Sequence, residues 1–307
     1  MSISHYIKEI GRGRDGARAL DRLHAADLFG RVLDRRVSDL EIGAFCVAMR
    51  IKGETAEEMA GFIDATRERM TLVPAAPTGR PTVVLPSYNG ARKFPVLTPL
   101  LAQCLVNAGC RVIVHGMGTQ EPGRVTSAQV LQAMQVPMLE SVADVQDEHI
   151  NYLPIAMLSP ALHRLLEVRY TVGLRNSAHS LVKIINPCAT RALVVGSYTH
   201  AEYLHAMNLI YREIAADALL LRGIEGESVA DGRRVQAIDA YIGGLHQRLQ
   251  EAQTGRITQV PDWPQDVSAP STARYIQAVL AGDSPLPDPI QRQVVHIQHA
   301  LRLMQGV

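Results

Sequence analysis

Short apolar segments alternate with helical segments through the middle of the chain, and this alternation restricts the possible folds more than any other feature. Strand-like runs occupy residues 83–85, 111–115, 192–196 and 218–221. Helix signals separate them: Thr98 with Pro99 opens one helix, which Gly109 ends, and Thr199 with Glu202 opens another. Such alternation is typical of a mainly parallel β-sheet with helices on its faces.

The N-terminal part of the chain predicts helices only. Ile3, Ile7 and Ile10 recur at helical spacing. Farther on, Ser38 with Glu41 and Thr55 with Glu58 form two successive capping boxes, each followed by an apolar stripe, and Gly53 lies between them. These signals predict a helical hairpin over residues 38–69.

Two further regions complete the predicted organisation. Residues 74–81 are rich in proline and predict a linker, so a domain boundary is expected there. Toward the C-terminus, we expect a mixed helix to about residue 253, an irregular region over residues 258–289, and a final helix over residues 290–304.

The composition is that of a globular protein and gives little guidance to a partner. The 307 residues are 47% hydrophobic and 20% charged, and the formal net charge is +1. This balance argues against extended disorder and gives no bulk sign of a nucleic-acid or membrane partner, so a basic surface would require charge segregation. Four scattered cysteines without metal-ligand spacing indicate a reducing compartment, and no apolar run is long enough to span a membrane. We therefore expect a cytoplasmic protein.

The first strand-like run leads into a loop that suits an anion. Residues 86–93 read Pro-Ser-Tyr-Asn-Gly-Ala-Arg-Lys, which provides a hydroxyl, an amide, a glycine and two cations after a strand. Loops in that position hold phosphates through backbone N–H groups. However, Pro86 has no N–H and Tyr88 is bulky. A solvated loop with two incidental cations is the alternative interpretation.

The run Ala-Phe-Cys-Val-Ala-Met-Arg-Ile-Lys-Gly-Glu-Thr-Ala-Glu-Glu-Met-Ala-Gly at residues 44–61 resembles the N-terminal helical domain of the anthranilate phosphoribosyltransferase family. Val168-Arg169, Gly173-Leu174-Arg175 and Asn186-Pro187 resemble family patterns as well. The resemblance implies an α/β fold: an N-terminal all-helical domain plus a larger domain with a central mainly parallel β-sheet flanked by helices, as in nucleoside phosphorylases and phosphoribosyltransferases. It implies a helical dimerisation domain at residues 1–73 and about 158–182, and an α/β domain at residues 80–157 and 183–307.

The catalytic signature of that family is degenerate in this chain. Pro86-Ser87-Tyr88-Asn89-Gly90 stands where the enzymes have a glycine-rich pyrophosphate loop, and the lysine and the Asn-Arg pair around His115 are missing. The paired acidic residues that bind magnesium fall on Ser228-Val229, although Glu225 and Glu227 could still hold a hard cation. We predict no catalytic residue, no metal and no cofactor. The residues that correspond to the substrate pocket of the family's enzymes, and that form a degenerate pocket here, are Ser87, Tyr88, Asn89, Gly90, Thr98, His115, Arg169, Glu225 and Glu227.

The replacing residues resemble the YbiB group of anthranilate phosphoribosyltransferase paralogues. That resemblance implies a homodimer that binds DNA and RNA without sequence preference and does not contact membranes. The candidate phosphate-binding residues are Arg12, Arg14, Arg18, Arg92, Lys93, Arg175 and Lys183. The arginines near the N-terminus alternate with acids, so a solvated mixed face is their alternative interpretation.

Two other classes of function stay open at this point. One is a glycosyl or phosphoribosyl transferase or phosphorylase that acts on a phosphorylated sugar or nucleoside, with Arg169 and His115 in its pocket; magnesium would enter only with this alternative. A lone histidine at a strand end is more often structural than a general base. The other is a dimeric scaffold without ligand chemistry.

Overall fold

The computed structural model describes residues 2–13, 15–255, 257 and 261–306. Within them the α-helices are α1 (Ser4–Ile10), α2 (Arg22–Leu33), α3 (Asp39–Lys52), α4 (Ala56–Arg67), α5 (Thr98–Asn107), α6 (Ser127–Ala133), α7 (Ile155–Leu158), α8 (Pro160–Val172), α9 (Ala178–Leu181), α10 (Ala201–Glu213), α11 (Ala269–Ala281) and α12 (Asp288–Gln305). The strands are β1 (Thr82–Ser87), β2 (Arg111–Gly116), β3 (Ile150–Pro154), β4 (Leu193–Tyr198), β5 (Ala218–Arg222), β6 (Ile238–Ile242) and β7 (Leu245–Gln250).

Helices α1–α4 form the N-terminal helical part, and local sequence sets their limits. Both predicted capping boxes are present: Glu41 returns a hydrogen bond to the Ser38 backbone, and Glu58 does the same for Thr55. The predicted helical hairpin is confirmed. Gly53 ends α3 with a φ of 81°, a conformation that favours glycine. The core of this part contains Phe29 stacked on Phe62, with ring centroids 4.5 Å apart.

A later segment of the chain returns to this helical part. Helix α8 packs against α2, and α9 packs against α4. The connection before β1 is tied to the same segment, because the Thr71 N–H donates to the Leu158 carbonyl at 2.8 Å and the Val73 N–H donates to the Pro187 carbonyl at 2.9 Å. Whether the chain divides into domains at the expected boundaries stays a prediction.

The sheet has seven strands in the order β3-β2-β1-β4-β5-β6-β7. The strands from β3 to β5 are parallel, and β6 and β7 pair antiparallel at one edge. Strand β1 is an interior strand between β2 and β4, and its Val83, Val84 and Leu85 are fully buried. Because side chains alternate along a strand, Val84 joins the core that includes the helical part, whereas Val83 and Leu85 join the core under α5, α11 and α12. The predicted α/β fold with a mainly parallel sheet is confirmed.

Three local predictions were incomplete or wrong. Residues 238–250 form the β6–β7 hairpin rather than a helix, and Gly243 and Gly244 make its two-residue turn with φ values of 55° and 80°. That turn and the alternation of Ile238 and Ala240 with polar residues are hairpin signals. Strand β3 was not predicted. Helix α11 lies inside the region expected to be irregular, where Ser268 caps a helix with Pro270 in its first turn.

Candidate functional site

The carboxyl ends of the parallel strands face the helical part across a cleft. This cleft contains a cavity of about 510 Å³. Its lining comes from the end of α3, the α8–α9 region, the loops after β1, β2, β4 and β5, and α10. The charged side chains that line it are Arg50, Glu54, Arg124, Arg175, Lys183 and Glu225. Cations therefore outnumber carboxylates on the cavity wall, which favours an anion there.

Lys183 is the most desolvated of these cations. It is half-buried, and burial lowers its pKa to about 8, while the charge of Glu227 acts in the opposite direction. His179 lines the same cavity, and burial together with the nearby Arg175 and Arg169 lowers its pKa to about 4. At neutral pH the cavity therefore holds a neutral imidazole and a lysine that is mostly charged.

The loop after β1 holds anions, but those anions are the protein's own carboxylates. The N–H groups of Asn89 and Gly90 donate to Glu227 Oε1 at 3.0 and 2.8 Å. The N–H groups of Arg92, Lys93 and Phe94 donate to the Glu225 carboxylate at 2.9, 2.8 and 3.0 Å. The Ala91 N–H donates to the Val125 carbonyl at 2.8 Å. All the backbone donors over residues 89–94 are thus occupied from within the chain.

Glu227 is central to this closed arrangement. It is 1% exposed, and its Oε2 accepts hydrogen bonds from the hydroxyls of Ser87 and Thr98, the latter at 3.1 Å. These contacts involve Ser87, Asn89, Gly90, Thr98 and Glu227 from the expected pocket. The structure brings these residues together as a buried network rather than as an open pocket.

Glu225 closes the outer part of the loop. Its backbone adopts φ +48°, which is strained for a residue with a side chain, and Asn89 Nδ2 donates to its carbonyl at 3.1 Å. Since Glu225 and Glu227 face N–H and O–H donors, a cation would have to compete with those hydrogens. Across the part of the chain that the structure describes, no group of three or more His, Cys, Asp or Glu residues could hold a metal ion.

His115 lies outside the cavity and is fully buried. Its Nδ1 and the Tyr88 hydroxyl form a hydrogen bond of 2.7 Å. Burial lowers its pKa to about 3, so the ring is neutral at physiological pH. The histidine that the enzyme alternative places in a pocket is instead a structural residue without access to a substrate.

Arginines from three segments converge on Glu121 in the loop after β2. Arg92 pairs with it at 2.8 Å, Arg124 pairs at 3.0 Å, and Arg169 of α8 also contacts it. We call Arg92, Arg124, Arg169 and Glu121 the arginine cluster. The sequence alone does not single out Glu121 or Arg124, because Arg92 and Arg169 reach Glu121 from segments that are distant along the chain.

The remaining cations predicted to bind phosphate have varied surroundings. Arg12 is exposed and pairs with Glu9 at 2.9 Å, and the exposed Arg18 lies 3.8 Å from the same carboxylate. Arg14 lies outside the described residues. Lys93 is exposed beside the arginine cluster. Arg12 and Arg18 thus belong to a mixed-charge surface.

Two further basic residues lie away from the cleft. Arg111 is 1% exposed and pairs with the buried Asp147 at 3.2 Å. Arg191 pairs with Asp217 at 2.7 Å. It precedes β4, so it lies at the amino-terminal ends of the parallel strands, opposite the cleft. Arg111 and Arg191 therefore add nothing to the positive charge at the arginine cluster and the cavity.

Comparisons with known proteins agree with this geometry. Residues 4–70 match the family described as glycosyl transferase family, helical bundle domain. The protein YbiB of Escherichia coli (strain K12) is 37% identical over 300 residues, which span 96% of this chain and 92% of YbiB. The chain belongs to the anthranilate phosphoribosyltransferase-like family, together with YbiB. The anthranilate phosphoribosyltransferase of Desulfosudis oleivorans, another relative, is 28% identical over 78% of this chain and 68% of its own length.

Solved structures of the anthranilate phosphoribosyltransferase family share the fold. The enzyme from Thermus thermophilus has a TM-score of 0.70 at 20% identity, covering 98% of this chain and 89% of its own. The Saccharomyces cerevisiae enzyme, solved in complex with PRPP and Mg, has a TM-score of 0.69 at 14% identity, covering 99% and 88%. At these identities the likeness concerns architecture alone. The family predicted from the sequence is confirmed.

Proposed function

We propose that the protein binds nucleic acid without sequence preference. The observation that supports this most is the arginine cluster at the cleft, where Arg92, Arg124 and Arg169 share one carboxylate and where Lys93 is exposed beside them. Arg175 and Lys183 continue the positive charge into the cavity. Planar guanidinium groups match the geometry of phosphate oxygens, so this surface suits a phosphate backbone.

The absence of sequence preference follows from the kind of contact. Cations that meet backbone phosphates fix the position of a nucleic acid but carry no information about its bases. Their contribution arises largely from counterion release and therefore falls as salt increases. The near-neutral net charge of +1 means that this cluster has to act locally.

We further propose that the protein is a homodimer that associates through α3. Leu40, Ala44, Val47 and Ile51 follow one another at spacings of four, three and four residues along this helix. Leu40 is 84% exposed and Ile51 is 59% exposed. A surface helix of a monomeric protein normally turns such apolar residues toward the protein core. A second copy of this chain would cover the stripe, and α3 ends at the cleft.

The enzyme alternative has one observation in its favour, the cavity of about 510 Å³ with Lys183 in its wall. Two other observations weigh against it: His115 is buried, and the backbone donors over residues 89–94 are occupied. We therefore favour nucleic-acid binding over phosphoribosyl transfer.

The setting proposed for this activity is the cytoplasm. The four cysteines are free thiols, which persist in a reducing compartment. Over the described ranges, no helix has the length and apolar character needed to cross a bilayer.

The test is a fluorescence anisotropy titration with labelled single-stranded and double-stranded DNA of unrelated sequences. We expect similar affinities for all sequences and a steep fall with salt. With about three to five phosphate contacts per protomer, the log-log slope for duplex DNA should be roughly −3 to −4.5. Absence of any binding even at low salt would reject the proposal.

A further inference from the structure

Glu121 is the carboxylate that the arginine cluster shares. It is contributed by the loop after β2, whereas Arg92 follows β1 and Arg169 lies on α8 of the helical part. The Arg124 guanidinium is fixed in addition by the carbonyl of Asn89, to which it donates at 2.8 Å. Three guanidinium groups from separate elements are therefore oriented toward one point.

The charges at that point are not balanced. Three cations surround a single anion. Arg175 is a further cation near them: burial lowers its pKa, and the charge of Arg169 lowers it as well. Partial burial works to raise the pKa of Glu121, but the hydrogen bond and charge of Arg169 and the charge of Arg124 outweigh it and the pKa is lowered. Glu121 is therefore ionised at neutral pH and held by an excess of positive charge.

A carboxylate and a phosphodiester are similar ligands for such a group. Both carry one negative charge and present two oxygens that a guanidinium fork can bind together. Glu121 thus occupies the position that suits a phosphate. Its side chain is 21% exposed and the adjacent Pro122 and Gly123 are exposed, so the carboxylate lies at the surface rather than in the core.

We propose that Glu121 is an internal competitor for a phosphate site formed by Arg92, Arg124 and Arg169, and that a nucleic-acid phosphate binds there by displacing it. This inference rests on the proposed nucleic-acid binding and adds to it a specific site and a restraint on affinity. Exchange of the carboxylate for a phosphodiester leaves the local charge unchanged. When a protomer binds nucleic acid, its arginines therefore lose their ion pairs with Glu121 and form ion pairs with the phosphate.

The variant Glu121→Gln removes the competing charge and keeps the shape of the side chain. We expect it to bind duplex DNA about three- to tenfold more tightly than the wild type at the same salt concentration, with a log-log salt slope steeper by about one unit, because more arginine charge is free to neutralise phosphate. Fluorescence anisotropy titrations at several salt concentrations measure both quantities.

The matched control is Glu148→Gln. Glu148 also pairs with an arginine, Arg80, at 2.8 Å. It precedes β3, so it lies at the amino-terminal ends of the parallel strands, away from the cleft. Glu148→Gln changes the net charge of the protein by the same amount as Glu121→Gln. A gain in affinity that is equal in the two variants would therefore overturn the proposal, as would unchanged or weaker binding by Glu121→Gln.

A second variant keeps the proposal testable if Glu121→Gln does not fold. Glu121→Asp retains the charge but shortens the side chain and weakens its hold on the arginines, so we expect an affinity between those of the wild type and Glu121→Gln, and above the wild type in any case. An affinity equal to that of the wild type would contradict the proposal. If the wild-type protein binds DNA and these variants bind it with the same affinity, only the proposal that Glu121 competes with phosphate is rejected. If no form binds DNA, nucleic-acid binding is rejected as well.

Discussion

At the scale of single residues, the sequence identified cations and polar groups but not their partners. Arg92, Lys93 and Lys183 were expected near a phosphate, and they lie beside or in the cleft because loops at the ends of parallel strands meet at one sheet edge. Glu121 could not be found this way, since its partners Arg92 and Arg169 are 29 and 48 residues away. Pairing between distant loops is a property of the fold.

The buried His115 predicts a specific pH dependence of stability. Its folded-state pKa of about 3 lies below the ordinary histidine value of 6.5, so the unfolded chain takes up a proton that the folded protein does not. Stability that is present above pH 6.5 is therefore lost as the pH falls toward 3. Between about pH 7 and pH 5 this residue should cost about 2 kcal/mol of unfolding free energy.

Urea unfolding of the wild type and of His115→Gln at the two pH values measures this cost. Glutamine can still bond to the Tyr88 hydroxyl but does not titrate, so the variant should lose about 2 kcal/mol less than the wild type over this interval. Other groups, including His179, contribute equally to both proteins. An equal loss in the two proteins would show that His115 is not buried as a neutral ring.

At the scale of elements, patterns that are local in sequence were predictable. The capping boxes of α3 and α4 and the buried run of β1 are each set by residues within one turn or one strand. The β6–β7 hairpin was misassigned although Gly243 and Gly244 marked its turn, because the surrounding polar residues also fit a mixed helix. The filling of the loop after β1 by Glu225 and Glu227 could not be predicted, since those residues lie more than 130 positions away.

That filled loop predicts weak or no binding of phosphoribosyl pyrophosphate with magnesium. The diphosphate would need backbone N–H donors that Glu225 and Glu227 already occupy, and its charge would meet theirs. Isothermal titration calorimetry with the wild-type protein should give no saturable heat at micromolar protein concentration. Tight, magnesium-dependent binding would contradict this account of the loop and revive the enzyme alternative.

At the scale of the whole molecule, the fold was largely predictable and the charge distribution was not. Alternating strands and helices and the helical hairpin sufficed for the architecture. The net charge of +1 concealed a cluster in which arginines from both parts of the molecule meet at the cleft. Composition reports only a sum, whereas binding depends on where the charges lie.

The exposed stripe on α3 predicts a homodimer at micromolar concentration. Replacing Leu40 and Ile51 together by glutamate places like charges in the expected interface and should convert the dimer to a folded monomer. Sedimentation velocity measures the change. The control is Leu245→Glu, which alters a 79% exposed leucine on the β6–β7 hairpin and should leave the dimer intact. A wild-type monomer, or an unaffected dimer in the α3 variant, would exclude this interface.

We propose that phosphate binds at the edge of the cleft, and a pair of matched double variants tests this binding site. Arg92→Ala with Lys93→Ala removes one ion-paired and one exposed cation beside the cleft. Arg191→Ala with Arg302→Ala removes one ion-paired and one exposed cation on the side of the sheet opposite the cleft. Arg302 lies in the last turn of α12, and Arg191 donates to the carbonyl of Met304 in that turn at 3.2 Å. The two variants therefore lose the same charge.

The measurement is the salt dependence of duplex DNA affinity by fluorescence anisotropy, for the wild type and both variants. We predict that loss of Arg92 and Lys93 flattens the log-log slope by nearly two units and weakens binding to all sequences alike, whereas the control changes it little. Equal slopes for the two variants, or no binding by the wild type at low salt, would contradict the account.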